Sequence, residues 1–145
     1  MRQFLRSLPV LAGDLPTFDP ARAPDQPEKL FATWLVDAGI REPHAMTLST
    51  IGADGNPSAR ILILKNVDAH GWQFAVHAQS PKGRDLTRHR AAALSFYWPA
   101  LARQVRVRGP VTAEPADRSA ASRAEASIGR QSRPLADPRD LDQGR

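Results

Sequence analysis

The order of apolar and polar positions divides the chain into a leader, one helix, a run of strands and a polar tail. Leu30, Phe31, Trp34 and Leu35 recur at i, i+1, i+4 and i+5, the apolar stripe of a helix over roughly 27–38. Asp25 stands where it can cap that helix, and Gly39 is a plausible stop. From His44 the period becomes two: Met46-Thr47-Leu48-Ser49-Thr50-Ile51 alternates as a half-buried strand does. Ala53-Asp54-Gly55-Asn56 is a turn with an Asp-Gly hairpin signal. In Ala59–Lys65 the apolar core is continuous, which predicts a strand covered on both faces, by the barrel interior on one and a helix or second subunit on the other. Asp68–Gly71 turns the chain into a third strand, Trp72–His77. Ser80-Pro81 opens a short surface helix over Lys82–Arg90, whose one large apolar residue is Leu86. Ala93–Trp98 reads as a fourth strand, closed by Pro99. Gln104–Arg108 is a fifth, with the valines on one face and Gln104, Arg106 and Arg108 on the other. Gly109-Pro110 predicts a bulge before Val111–Ala113 continues that strand.

Five strands joined by short turns predict a mainly β fold with flanking helices, closing as a small antiparallel barrel. Residues 1–26, rich in proline from Pro9 onward, read as an extended, irregular arm. Residues 27–115 carry the barrel, and 116–145 a polar tail with helical potential over Ala116–Ile128.

Composition narrows the function classes. A chain of 145 residues is one domain with one core. The absence of cysteine excludes disulfides, cysteine nucleophiles and thiolate metal sites. No apolar run reaches the ~20 residues of a membrane helix. The first residues begin like a signal peptide, but Arg6 and Pro9 break the apolar run, so the expected location is cytoplasmic. A net charge of +5 points to anionic partners. Nucleic acid is not expected among them, because no binding-fold signature and no row of aromatics accompanies the charge.

Arg60, Lys65, Lys82 and Arg106 lie in or beside the strands. Lys82 falls in the first turn of a capped helix, where backbone N–H groups favour an anion. Arg60 and Lys65, five apart, face opposite ways unless their strand bulges or twists. The set fits a phosphate site; on spacing alone a solvated basic face fits it better. His44, His70, His77 and His89 lack metal-ligand spacing, so no metal is expected. No serine sits in a nucleophile elbow, and Trp34, Trp72 and Trp98 read as core or interface.

The strings say more than the spacings. Ala45–Thr50, Pro57–Lys65, Ser80–Arg84, Phe96–Trp98 and Arg103–Pro110 come in the order and spacing of one family. Over roughly residues 28–135 the chain resembles the pyridoxine/pyridoxamine 5′-phosphate oxidases, FMN-dependent split-barrel enzymes, and the related phenazine-pathway flavin oxidases. The resemblance implies an FMN-binding split β-barrel. It places Arg60, Ile61, Leu62 and Ile63 along the cofactor, with Arg60 on its phosphate. Ala75 and Val76 follow on the next strand, Lys82 is a second phosphate contact, and Gln104 meets the flavin edge. Gln131 and Ser132 would reach FMN from the partner of a homodimer. Lys65, Arg118 and Ser122 would hold the substrate phosphate.

There are departures. Pro81 stands where the family usually has Arg, and the Tyr preceding the position of Arg118 has no counterpart. The family continues past the Gln-Ser pair with further strands, a Trp near the flavin and an Arg-x-His pair over the substrate, none of which is in this sequence. The implied activity is oxidation of pyridoxamine or pyridoxine 5′-phosphate to pyridoxal 5′-phosphate, with O2 reduced to H2O2. The flavin would take the hydride, and no dedicated catalytic residue is expected. The alternatives are a non-catalytic FMN or pyridoxal-phosphate binding protein and a phenazine-type oxidase.

Overall fold

The computed structural model describes residues 1–11, 13–113 and 124–129. Two short helical pieces interrupt the arm, which was expected to be irregular throughout. Helix α1 (Arg2–Ser7) precedes the first proline, so nothing in it blocks a helical turn. A 3-10 turn at Pro20–Arg22 is capped by Asp19, whose carboxylate accepts from the Ala21 N–H at 3.0 Å. Phe18 then meets Trp34 edge-on at 5.8 Å and ties the arm to the next helix.

Helix α2 (Pro27–Val36) starts with proline in its first turn. Its N-cap is Gln26 with no side-chain hydrogen bond, so Asp25 does not cap it. The cap fails because proline at position 27 sets the first helical residue, leaving Asp25 one place too early. The predicted stripe is the face that packs: Phe31 is buried, and Trp34 and Leu35 are half-buried against the core.

Among the described residues six antiparallel strands close into a barrel in the order β1-β2-β3-β6-β5-β4. They are β1 (Ala45–Ile51), β2 (Pro57–Asp68), β3 (Gly71–Val76), β4 (Ala91–Trp98), β5 (Arg103–Ala113) and β6 (Ala124–Ile128). Helix α3 (Pro81–Arg88) links β3 to β4. The inward positions alternate as predicted: Met46, Leu48 and Thr50 on β1, and Leu94, Phe96 and Trp98 on β4, are buried. Phe31 enters this core with its ring 4.5 Å from Trp72 and 4.8 Å from Phe96.

The sixth strand was not expected. Residues 116–128 carry helical potential, yet Ala124–Ile128 is extended. The demand comes from its neighbours: without β6 the edges of β3 and β5 would be unpaired. It pairs with β3 from Trp72↔Ile128 to Val76↔Ala124, and with β5 from Val111↔Ile128 to Ala113↔Ala126. Ala126, Ser127 and Ile128 are buried. At Gly71, with φ +125°, a Cβ would meet the Ile128 carbonyl and, at 2.7 Å, the Ser127 hydroxyl. Only glycine admits β6 that closely.

Two further expectations change. Gly109-Pro110 does not bulge, for β4 and β5 pair without a shift from Ala91↔Pro110 to Trp98↔Arg103. There β5 instead exchanges its neighbour: the Val111 N–H donates to Arg90 and the Pro110 carbonyl accepts from Gly129. Strand β2 runs twelve residues, with the irregularity in its ladder to β3 lying between Leu64 and Asn66. Of its apolar run only Leu64 is fully buried, while Ile61 is 66% exposed. The second face expected to be covered is bare in the single chain.

Candidate phosphate and cofactor site

The loop His77–Ser80 leads from β3 into α3. Ser80 caps the helix, its hydroxyl accepting from the Gly83 N–H at 3.2 Å and donating to the His77 carbonyl at 2.6 Å. Gly83 lies against that loop: a Cβ there would meet the His77 carbonyl and, at 2.6 Å, that of Ala78. The close approach fixes the first turn of α3, and with it Lys82.

Leu62, Ile63 and Lys65 of β2, Ala75 of β3, His77 and Lys82 line one cavity of about 250 Å³. Two lysines from separate elements therefore line a common space with an apolar wall. Among its lining residues there is no carboxylate. Lys82 adds its charge at the positive end of the α3 dipole, which favours an anion there. His77 keeps Nδ1 as an acceptor for the Gln79 N–H at 3.3 Å, so its Nε2 is the nitrogen left to meet a ligand. The donor set suits a phosphate group, and the wall formed by Leu62, Ile63 and Ala75 suits the body of an organic cofactor.

Arg60 takes another direction. Its Nη1 donates to the Thr50 hydroxyl at 2.7 Å and the Leu48 carbonyl at 3.4 Å, and Nη2 donates to the Ser58 hydroxyl at 2.7 Å. Asp85 of α3 stands 3.7 Å from Nη2 and accepts from the Thr50 hydroxyl at 2.8 Å. Arg60 thus reaches the helix that carries Lys82 without lining the cavity itself.

The other predicted positions are spread. Ile61 points away from the core and is exposed. Val76 is buried and lines a separate cavity of about 440 Å³ with Leu86, Thr87 and Val111. Gln104 is exposed on β5, paired with Tyr97 of β4, so that β4 and β1 stand between it and β2. Arg106 is exposed on the same strand, opposite Ser95. Gln131, Ser132, Arg118 and Ser122 lie outside the described residues. Among the described residues no cluster of three or more His, Cys, Asp or Glu could hold a metal, and no helix is long and apolar enough to cross a membrane.

Three residues escaped the sequence reading: Thr50, Asp85 and His77. Thr50 carried a signal, because the alternation of β1 turns it inward with Met46 and Leu48, and a buried hydroxyl requires a partner. Asp85 lies 35 residues from Thr50, and nothing local announces the pairing.

Comparison with known proteins agrees with this fold. The sequence pattern of the family described as pyridoxamine 5′-phosphate oxidase matches residues 35–142. A pyridoxine/pyridoxamine 5′-phosphate oxidase of Caulobacter vibrioides is 47% identical over 134 residues, covering 85% of this chain and 60% of the relative. The corresponding protein of Azorhizobium caulinodans is 46% identical over 138 residues, 88% of this chain and 62% of its own. The chain thus spans about 60% of the length of these curated relatives. In three dimensions it is similar to PhzG of Burkholderia lata 383, solved in complex with tetrahydrophenazine-1-carboxylic acid, with TM-score 0.66 and 30% identity over 72% of this chain and 55% of that one. A pyridoxamine 5′-phosphate oxidase-related, FMN binding protein of Nostoc punctiforme shares the fold, with TM-score 0.55 and 21% identity over 71% of this chain and 52% of that one. With the barrel, the lysine-lined cavity and matches over most of its length, the chain belongs to the pyridoxamine 5′-phosphate oxidase family.

Proposed function

We propose that the protein binds FMN and oxidises pyridoxamine or pyridoxine 5′-phosphate to pyridoxal 5′-phosphate, with O2 reduced to H2O2, as a cytoplasmic homodimer. The observation that carries this reading is the convergence of Lys65 and Lys82 on one small cavity beside the Leu62–Ile63 segment and Ala75. Bound flavin supplies the redox chemistry, accepting a hydride from the substrate and passing electrons to oxygen. The chain's own part is to bind and orient. Lys82 and the N-terminus of α3 hold a phosphate, Lys65 steers the phosphorylated substrate, and the apolar wall excludes water from the ring. Gln104, distant from β2 in one chain, fits a role across the subunit boundary, as do Gln131 and Ser132. Arg118 and Ser122 would complete the substrate phosphate site.

The similarity to PhzG favours a second reading, oxidation of a bulkier, unphosphorylated ring. The two separate on the substrate phosphate. Arg118→Ala abolishes turnover of pyridoxamine phosphate under the first reading and leaves its affinity unchanged under the second.

The test is the visible spectrum of the purified chain after incubation with FMN and desalting, with mass measured on the same column. An oxidised-flavin spectrum retained on a dimer, bleached without air by pyridoxamine phosphate, is the expected result. Flavin that is retained but not bleached identifies a binding protein. No retained flavin overturns the cofactor assignment.

A further inference from the structure

We infer that Thr50 and Asp85 are positioning residues for Arg60, presenting its open guanidinium donors to the phosphate of a flavin mononucleotide. The inference rests on the FMN-binding reading above and deepens it. A guanidinium carries five N–H donors. Three are engaged inside the chain, two on Nη1 by Thr50 and Leu48 and one on Nη2 by Ser58. Among the described residues this leaves the Nε donor and the second Nη2 donor without a hydrogen bond. Nε and Nη2 form the side of the fork that grips a phosphate through two oxygens.

What holds the fork is a relay across three elements. Thr50 of β1 is 2% exposed, accepts from Arg60 of β2 and donates to Asp85 of α3. A single hydroxyl therefore serves both charged groups. The Asp85 carboxylate, 3.7 Å from Nη2, adds attraction that keeps the guanidinium turned toward α3. The same contact docks α3 on the barrel and so sets where Lys82 stands relative to Arg60. Without the relay an arginine side chain samples many rotamers, and ordering it on the ligand costs binding energy.

The test compares FMN with riboflavin, which lacks the phosphate, by fluorescence titration of the 145-residue chain. A residue that merely supports the barrel changes both affinities together. A residue that aims Arg60 changes the preference for FMN over riboflavin. Thr50→Val, near in volume but without the hydroxyl, is expected to lower that preference about tenfold. Asp85→Ala is expected to act in the same direction. Thr50→Ser, which keeps the hydroxyl, is expected to hold the preference within about twofold. Melting temperatures identify any variant that fails to fold, and the Thr50 pair decides the matter if Asp85→Ala is lost. An unchanged preference in Thr50→Val, with wild type favouring FMN, overturns the positioning role alone. Wild type that binds both flavins equally, or neither, overturns the flavin-phosphate reading and this inference with it.

Discussion

The ring of Phe31 meets that of Trp72 edge-on, with centroids 4.5 Å apart. Through this contact, and those with Phe96 and Trp98, α2 supplies an aromatic side chain to the core that the strands enclose. Phe31→Ala removes it and leaves a cavity between rings that cannot collapse. The expected loss is about 3–5 kcal/mol. Thermal unfolding should move down by on the order of 10 °C, given the usual scaling for a domain of this size. A change within a degree or two would show that α2 is dispensable to the core.

Gly83 lies so close to the His77 and Ala78 carbonyls that a methyl group cannot be added without moving the helix. Gly83→Ala should therefore displace the first turn of α3, loosen the Ser80 cap and carry Lys82 away from Lys65. The expected cost in stability is about 1–3 kcal/mol. FMN retention should fall further than a loss of that size explains, because the variant moves a phosphate ligand and not only a packing contact. Paired measurement of melting temperature and FMN affinity separates the two effects.

Much of the fold was legible in the sequence. The period of two in β1 and β5, the Ser80-Pro81 start of α3 and the apolar stripe of α2 are local patterns, and local patterns set local structure. What failed was non-local. Strand β6, Ala-Glu-Ala-Ser-Ile, has a single β-branched residue and is extended because β3 and β5 need a partner on their open edges. The Gly109-Pro110 pair looks like a bulge but marks the place where β5 leaves β4 for β6. For the site, Lys65 and Lys82, assigned by the resemblance to the substrate phosphate and to a cofactor phosphate contact, line one cavity. The link from Arg60 through Thr50 to α3 runs to Asp85, which only tertiary packing brings near.

The β1–β2 turn carries a pH dependence. Asp54 accepts from the Asn56 side chain at 2.8 Å and from its backbone N–H at 3.0 Å. These bonds, the side-chain one first, hold the carboxyl below its ordinary value. The unfolded chain therefore binds this proton more readily than the folded one. The turn's contribution is complete above the ordinary carboxylate value and is lost as pH falls through the lower, folded value. Urea midpoints measured downward from about pH 5 should fall less steeply in Asn56→Ala than in wild type. Identical slopes would remove Asp54 from the acid sensitivity of the fold.

The outer face of the barrel makes the most direct prediction about assembly. Ile61 is 66% and Tyr97 61% exposed on neighbouring parts of one sheet face. Between them lie small or short residues, for Thr47 pairs with both Ile61 and Ser95. A face with large apolar groups left bare is what a second copy would cover. Gln104, paired with Tyr97, lies on that same face, so covering it would bring a residue of the flavin set to the partner's cofactor strand. Ile61→Glu places a charge where the proposed interface closes and should weaken the dimer about a hundredfold or more. Because the side chain is exposed in the single chain, the melting temperature of the monomer should change little. Sedimentation at several concentrations measures both forms. Wild type that stays monomeric throughout, while still holding FMN, would place the whole cofactor site within one subunit and leave Gln104 no part in it.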